Sequence, residues 1–271
     1  MNRVVHLEAE RLARDPGPFG LALKRYRTAR RMSQLDLALE CDVSARHVSF
    51  LESGRALPSR EMVEHLASGL VLPRQAQNSL LQAAGFSPAY PTTPLDSSVL
   101  EPFRAMMSEM MARHAPYPAI LVDRYWTIKD ANPVAFALLG PLHEGDGPMN
   151  VVHMLASPLA RTAIVNLPDV LDEMLGRIQL EALEAIDDPA FIGLMSTLEV
   201  ACAQYPVTAK RGGRDPIVPL IVSTPFGELH FLTAIAHFGT SEDVTVRDLR
   251  LELLFPANDT TKAILADIPS S

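Results

Sequence analysis

Cysteine is nearly absent from this chain. Cys41 and Cys202 are the only two in 271 residues, in no metal spacing and too few for a disulfide framework, so a reducing compartment, the cytoplasm, is the expectation. Long apolar runs are also missing. Stretches such as Ile217 to Val222 and Phe231 to Ala236 fall far short of the roughly 20 residues needed to cross a bilayer. Met1 to Asp15 has neither the basic start nor the apolar stretch of a secretory signal. No internal repeat and no low-complexity tract interrupts the pattern. What remains is 48% hydrophobic and 21% charged with a mean hydropathy of +0.10, the composition of a globular chain able to bury a sizeable core. The length suits two domains.

A net charge of -8 argues against nucleic acid as a partner unless the charge is unevenly placed, and it is. Residues 1–90 carry 12 Lys and Arg against 9 Asp and Glu, leaving 12 against 23 for the remainder. The cationic part is N-terminal. Its densest run is Lys24, Arg25, Arg27, Arg30 and Arg31, in a segment whose apolar positions Phe19, Leu23, Tyr26 and Met32 suit a helix. Such a run is more often a solvated helix face than a DNA contact. The acidic remainder is expected to be repelled from DNA.

Met1 to Arg14 is compatible with a polar helix, ended by Asp15-Pro16-Gly17-Pro18 before a new helix near Phe19. Short helices follow, with Ser33 capping Gln34 to Glu40, Ser44 capping Ala45 to Ser53 and Ser59 capping Arg60 to Leu70; Pro73 opens one more. Phe86 to Pro94, with prolines at 88, 91 and 94, reads as a semi-rigid connector. Val99 to Arg113 is expected to be helical, its methionines at 106, 107, 110 and 111 filling a packing seam. Ala119 to Asp123 and Thr127 to Asp130 are strand candidates, and Asn132-Pro133 opens a helix to Leu139. Leu167 to Ile186 and Pro189 to Ala203 are helical by periodicity. Ile217 to Ser223, Glu228 to Phe238 and Asp248 to Phe255 have β-type composition, with a Pro225-Phe226-Gly227 turn between the first two. The second half is therefore a small antiparallel sheet with helices laid over it.

Ser33 to Arg55 has the logic of a helix-turn-helix. Leu37, Ala38, Val43, Val48 and Leu51 fall where two short helices crossing steeply must touch, and Cys41-Asp42 forms the turn. The second helix of such a unit enters the major groove and the first lies across the backbone, so Ser44, Ala45, Arg46, His47, Ser49 and Phe50 are the candidate DNA residues. Arg46 can make a bidentate bond to guanine, and Ala45 or Phe50 can press on a thymine methyl. Gln34 can bond a phosphate, and Arg55 stands just past the second helix. Ser-Gln at 33–34, Val-Ser at 43–44 and Leu-Glu-Ser-Gly-Arg at 51–55 resemble the phage-repressor-like, or XRE, helix-turn-helix family. Cys41-Asp42 departs from the small residue or glycine frequent in that family's turn.

Ser44-Ala45-Arg46-His47, Pro58-Ser59-Arg60-Glu61-Met62 and Ala83-Ala84-Gly85-Phe86 resemble one subgroup, whose members carry a C-terminal MmyB-like ligand-binding domain. The likeness continues through Pro116-Tyr117-Pro118-Ala119, Asp123-Arg124-Tyr125-Trp126, Ala131-Asn132, Ile164-Val165-Asn166-Leu167, Phe238-Gly239-Thr240 and Asp243-Val244-Thr245. It implies an all-α helix-turn-helix domain over residues 19–86 and an α+β, PAS-like ligand-binding domain over residues 97–258.

An enzyme is the rival class. The eight histidines are scattered, and His230 and His237 differ by an odd number, which puts them on opposite faces of a regular strand. Asp187-Asp188 before Pro189 reads as a helix start rather than a catalytic pair, and Gly212-Gly213 has no following helix to make a nucleotide turn. No catalytic residue, metal or cofactor is expected. A sensor needs a mostly apolar cavity with a few polar groups. Trp126, Phe136, Met154 and Phe231 are candidates to line it, although they would equally fill an ordinary core. Asn132, Asn150 and Arg161 are polar candidates; Asn132 also suits a helix cap. Arg161, among Leu159, Ala160, Ala163 and Ile164, ranks first because a guanidinium can hold a carboxylate bidentately. The expected protein is a homodimeric, ligand-responsive regulator of double-stranded DNA with a two-fold operator and a fatty-acid-like effector. The alternatives are a DNA binder whose second domain only dimerises, and an enzyme with an appended DNA-binding domain.

Overall fold

A computed structural model describes residues 16–182, 188–205, 217–239 and 241–267. The expected leader helix, the end of the helix after Ala182, Asp187, Gly212-Gly213 and Thr240 lie outside these residues. The chain divides into two compact units, one ending at Pro91 and the other beginning at Thr92.

Among the described residues the first unit has five helices: α1 Gly17–Ala29, α2 Gln34–Glu40, α3 Ala45–Glu52, α4 Arg60–Gly69 and α5 Arg74–Ala83. α1 starts before the expected Phe19, because Pro18 fits the first turn of a helix, where no N–H donor is needed. Ser33, Ser44 and Ser59 cap as expected, each accepting a backbone N–H three residues on. At Ser33 the cap is reciprocal, since its own N–H donates to Asp36 at 2.7 Å, and those bonds hold the Asp36 carboxyl below its usual range.

All five helices end in the same way. Arg31, Asp42, Gly54, Val71 and Gly85 take positive φ, and the residue after each donates its N–H back to the carbonyl five positions earlier. Only two of the five are glycine. In four of the junctions the next residue (Met32, Val43, Leu72 or Phe86) is apolar and turns inward, which offsets the cost of a left-handed Arg, Asp or Val.

Leu23, Leu37, Val48, Leu51, Val63, Leu66 and Leu80 form the core of this unit. Helix α1 lies so close to the end of α3 that a Cβ on Gly20 would stand 2.7 Å from the Glu52 carbonyl oxygen and 2.8 Å from that of Leu51. Beneath the turn, Gly69 leaves room for the buried Cys41 thiol, and His65 Nε2 lies 2.6 Å from the Cys41 carbonyl. Burial raises the Cys41 pKa, which keeps the thiol protonated and unreactive.

The second unit contains α6 Glu101–His114, β1 Ala119–Val122, β2 Ile128–Ala131, α7 Pro133–Leu139, α8 Val151–Ala156, α9 Ala160–Ala163, α10 Leu167–Ala182, α11 Pro189–Cys202, β3 Leu220–Thr224, β4 Gly227–His237, α12 Val244–Arg247, β5 Arg250–Pro256 and α13 Asp259–Ala266. The sheet is antiparallel with order β2-β1-β5-β4-β3. The unit is α+β, as the sequence implied. On one face Met107 and Met111 of α6 pack on Ala119, Leu121 and Leu251. On the other, Val222, Leu229, Phe231 and Leu254 meet Leu265 of α13. Helices α8, α9, α12 and α13 were not anticipated. They are short, and three of them begin at an Asn or Asp cap or a turn residue that gives little periodic signal.

Candidate DNA reader and ligand domain

The DNA candidates gather around α3. Ser44 accepts the His47 N–H at 3.1 Å and opens the helix. Arg46 is exposed, His47, Ser49 and Phe50 are half-buried, and Ala45 leans against the core. Arg55 is exposed in the loop after α3. The Gln34 amide donates to Glu52 at 2.7 Å, a contact that was not foreseen; the second hydrogen of that amide is free for another acceptor.

Glu52 is the anchor of the unit. Arg27 Nε and Nη2 meet its two carboxylate oxygens at 2.6 and 3.0 Å, and Arg27 Nη1 donates to the Met32 carbonyl at 2.7 Å. Both side chains are buried, at 9% exposure for Arg27 and 5% for Glu52. Four groups thus tie α1, the turn before α2, α2 itself and the last turn of α3. Sequence patterning marked Arg27 only as part of a basic run and Glu52 only as part of a motif.

The ligand candidates do not converge. Asn132 Oδ1 accepts from Ala135 and Ala119, and its Nδ2 donates to Met111 and Tyr117. Asn150 likewise accepts from Val152 and His153 and donates to Tyr125. Their polar atoms are taken up by backbone. Phe136 is 61% exposed on α7, and Arg161 is exposed on α9. Phe231 lies in the core under α13, and Met154 is buried on α8.

Trp126 is different. Its ring is fully buried while its φ is +63°, the left-handed position of the turn between β1 and β2, where its N–H donates to the Asp123 carbonyl at 2.9 Å. Two guanidiniums sit over the ring, Arg177 at 5.3 Å and Arg250 at 5.1 Å. Glu181 joins them, accepting from Trp126 Nε1 at 3.2 Å and from Arg250 at 2.6 Å. Arg177 is less firmly held, bonded to the exposed Glu173 at 2.8 Å and to Glu252 at 3.4 Å. The pairing register sets Glu252 between Ile120 and Ile235 on one face of the sheet. Burial pushes its pKa up to about 7 against the pull of Arg177 and Arg250, and the nearby Glu173 and Glu181 raise it further. His237, which faces Arg250, Glu181 and Arg177, is lowered, chiefly by burial. None of Arg177, Glu181, Arg250 and Glu252 was singled out from sequence, because α10 and β5 bring them together across 75 residues.

Among the described residues no group of three or more His, Cys, Asp or Glu could hold a metal, and no helix is long and apolar enough to cross a membrane. A helix-turn-helix whose second helix exposes Arg46 is followed along the chain by an α+β domain with a polar cluster around Trp126. Two family models match. One, described as a helix-turn-helix domain, covers residues 18–89; the other, described as the MmyB-like transcription regulator ligand binding domain, covers residues 103–268. The chain belongs to the MmyB-like transcription regulators that carry this domain. No curated protein matches it.

The Glu252 shift has a measurable consequence. Its folded pKa lies above the ordinary 4.5, so between about 4.5 and 7 the native domain holds a proton that the unfolded chain has lost. The stability from this site is therefore present at low pH and falls as pH rises through that window. Glu252→Gln mimics the protonated form, and its urea midpoint should gain on that of the wild type between pH 4.5 and 7 and stay level above. A difference that does not vary with pH would refute the assignment.

Proposed function

We propose that this chain is a cytoplasmic, homodimeric regulator of the XRE type that reads a two-fold operator through α3 and adjusts its DNA affinity to a small, largely apolar molecule held in a PAS-like second domain. The observation that carries the reading is α3 itself: an exposed Arg46 and half-buried Ser49 and Phe50, on a helix whose last turn is seated by the buried Arg27–Glu52 pair. Side chains on a helix seated in this way read base edges at little further entropic cost. Arg46 takes a guanine, and Gln34 and Arg55 take phosphates. Residues 19–86 are the reading domain and residues 97–258 the sensor.

For the sensor, the strand order β2-β1-β5-β4-β3 under a layer of helices supports the PAS-like reading. The head group of the ligand belongs at the Trp126 cluster rather than at the exposed Arg161. Arg177 is the natural partner there, being 28% exposed and the more loosely held of the two guanidiniums. Fatty-acid-like compounds are the proposed effectors, an apolar chain gaining about 0.8 kcal/mol per buried methylene. The backbone-saturated Asn132 and Asn150 favour a second reading, in which this domain is only a dimer platform.

Two measurements test the two halves. On an operator selected from genomic fragments, Arg46→Ala should cost about 1–3 kcal/mol at one base position, with little loss on random DNA. Equal losses on both would remove α3 as the reader. Native mass spectrometry of the full chain before and after organic extraction, with thermal shifts across fatty acids of increasing length, should show a retained molecule and a chain-length optimum. A chain that retains nothing and responds to no length would leave the dimer platform.

A further inference from the structure

Two arginines of the reader share one ring. Arg46 and Phe50 stand one turn apart on α3, with the Arg46 guanidinium carbon 5.1 Å from the ring centroid. Gly54, at φ +71°, turns the chain back after α3, and the N–H groups of Arg55 and Ala56 donate to the Phe50 carbonyl at 2.8 and 3.2 Å. That return brings the Arg55 guanidinium to 5.8 Å from the same centroid. The stack thus rests on a backbone motif and not on side-chain chance alone.

Neither guanidinium has a carboxylate or carbonyl partner among the described residues, whereas Arg27, Arg30 and Arg60 all do. The carboxylate at the end of α3, Glu52, is buried and already shared between Arg27 and Gln34. The negative face of Phe50 is therefore what holds Arg46 and Arg55. Two cations on one ring repel each other until an anion or an electron-rich edge comes within reach of both. A duplex supplies these as guanine O6 and N7 and the adjoining phosphate.

We propose that Phe50 is a positioning residue of the DNA reader, holding Arg46 and Arg55 as a two-cation grip on a guanine and its neighbouring phosphate rather than contacting a thymine methyl itself. This rests on the reading of α3 as the DNA-binding helix. A free arginine loses several rotamers when it docks; a stacked one has lost part of that freedom beforehand, and the benefit appears as affinity.

The test is a double-mutant cycle in the full chain on the selected operator, with random DNA as reference. Phe50→Leu should weaken operator binding about 5- to 30-fold, because the ordering of two arginine side chains then falls on binding, while Phe50→Tyr, which keeps the ring face, should stay within about twofold. In an Arg46→Ala/Arg55→Ala background, Phe50→Leu should change affinity by less than about twofold. The slope of log affinity against log salt should also become shallower in Phe50→Leu, towards that of Arg55→Ala, because a phosphate contact is loosened. Urea midpoints of the variants establish that each is folded at the assay condition. If Phe50→Leu costs the same with and without the arginines and leaves the salt slope unchanged, the ring touches DNA itself and the proposal falls. If the wild-type chain prefers no sequence at all, the reading beneath it falls first, and that outcome is distinct from an additive cycle.

Discussion

The helix-turn-helix depends on one buried ion pair. Arg27 and Glu52 meet through two hydrogen bonds in a site almost closed to water, and Gln34 and the Met32 carbonyl take up further donors and acceptors of the same groups. Burying two charges is costly, and only near-complete hydrogen bonding offsets it. The pair acts as a geometric constraint: α1, α2 and the end of α3 have to be where these groups can all be satisfied. Gly20 is a second expression of this, because the approach of α1 to the Leu51 and Glu52 carbonyls leaves no space for a Cβ. The pair seats the last turn of α3, the helix that also carries Arg46, Ser49 and Phe50.

The second unit has a different balance. Its outer core of Met107, Met111, Leu121 and Leu251 is apolar and ordinary, but the interior around Trp126 holds two guanidiniums and the carboxylates of Glu181 and Glu252. Trp126 takes its left-handed φ in the turn between β1 and β2, where its N–H donates to the Asp123 carbonyl at 2.9 Å. Arg250 is locked by its short bond to Glu181, while Arg177 bridges Glu173 and Glu252 at longer range. The difference leaves one guanidinium able to change partner.

Sequence patterning went far in the first unit because its signals are local. Serine caps at Ser33, Ser44 and Ser59 stand next to the helices they start, and the apolar spacing of Leu37, Val48 and Leu51 repeats within one or two turns. The left-handed ends at Arg31, Asp42 and Val71 were hidden, since no glycine marks them. In the second unit the strands were visible from composition. Of the site only Trp126 stood out, as an apolar lining candidate; Arg177 and Glu181 lie one turn apart on α10 and Arg250 and Glu252 two apart on β5, but no local signal places these pairs beside Trp126. Arg161 looked attractive for its apolar neighbours in sequence, but α9 is a single turn on the surface and points it to solvent. Asn132 and Asn150 proved to be helix caps that also bind neighbouring carbonyls, a role that depends on strands and loops far from them in sequence.

If the buried network sets α3 before DNA arrives, removing its charge has to weaken DNA selection. Glu52→Gln keeps the shape of the side chain but removes the charge that Arg27 and Gln34 share. The decisive measurement is the ratio of operator to random-DNA affinity in this variant, taken at a temperature where its unfolding curve shows the chain folded. The ratio should fall several-fold, with affinity for random DNA nearly unchanged, because α3 loses its fixed seat while the surface charge of the reader stays. A folded variant whose ratio equals that of the wild type would show that the network does not set α3.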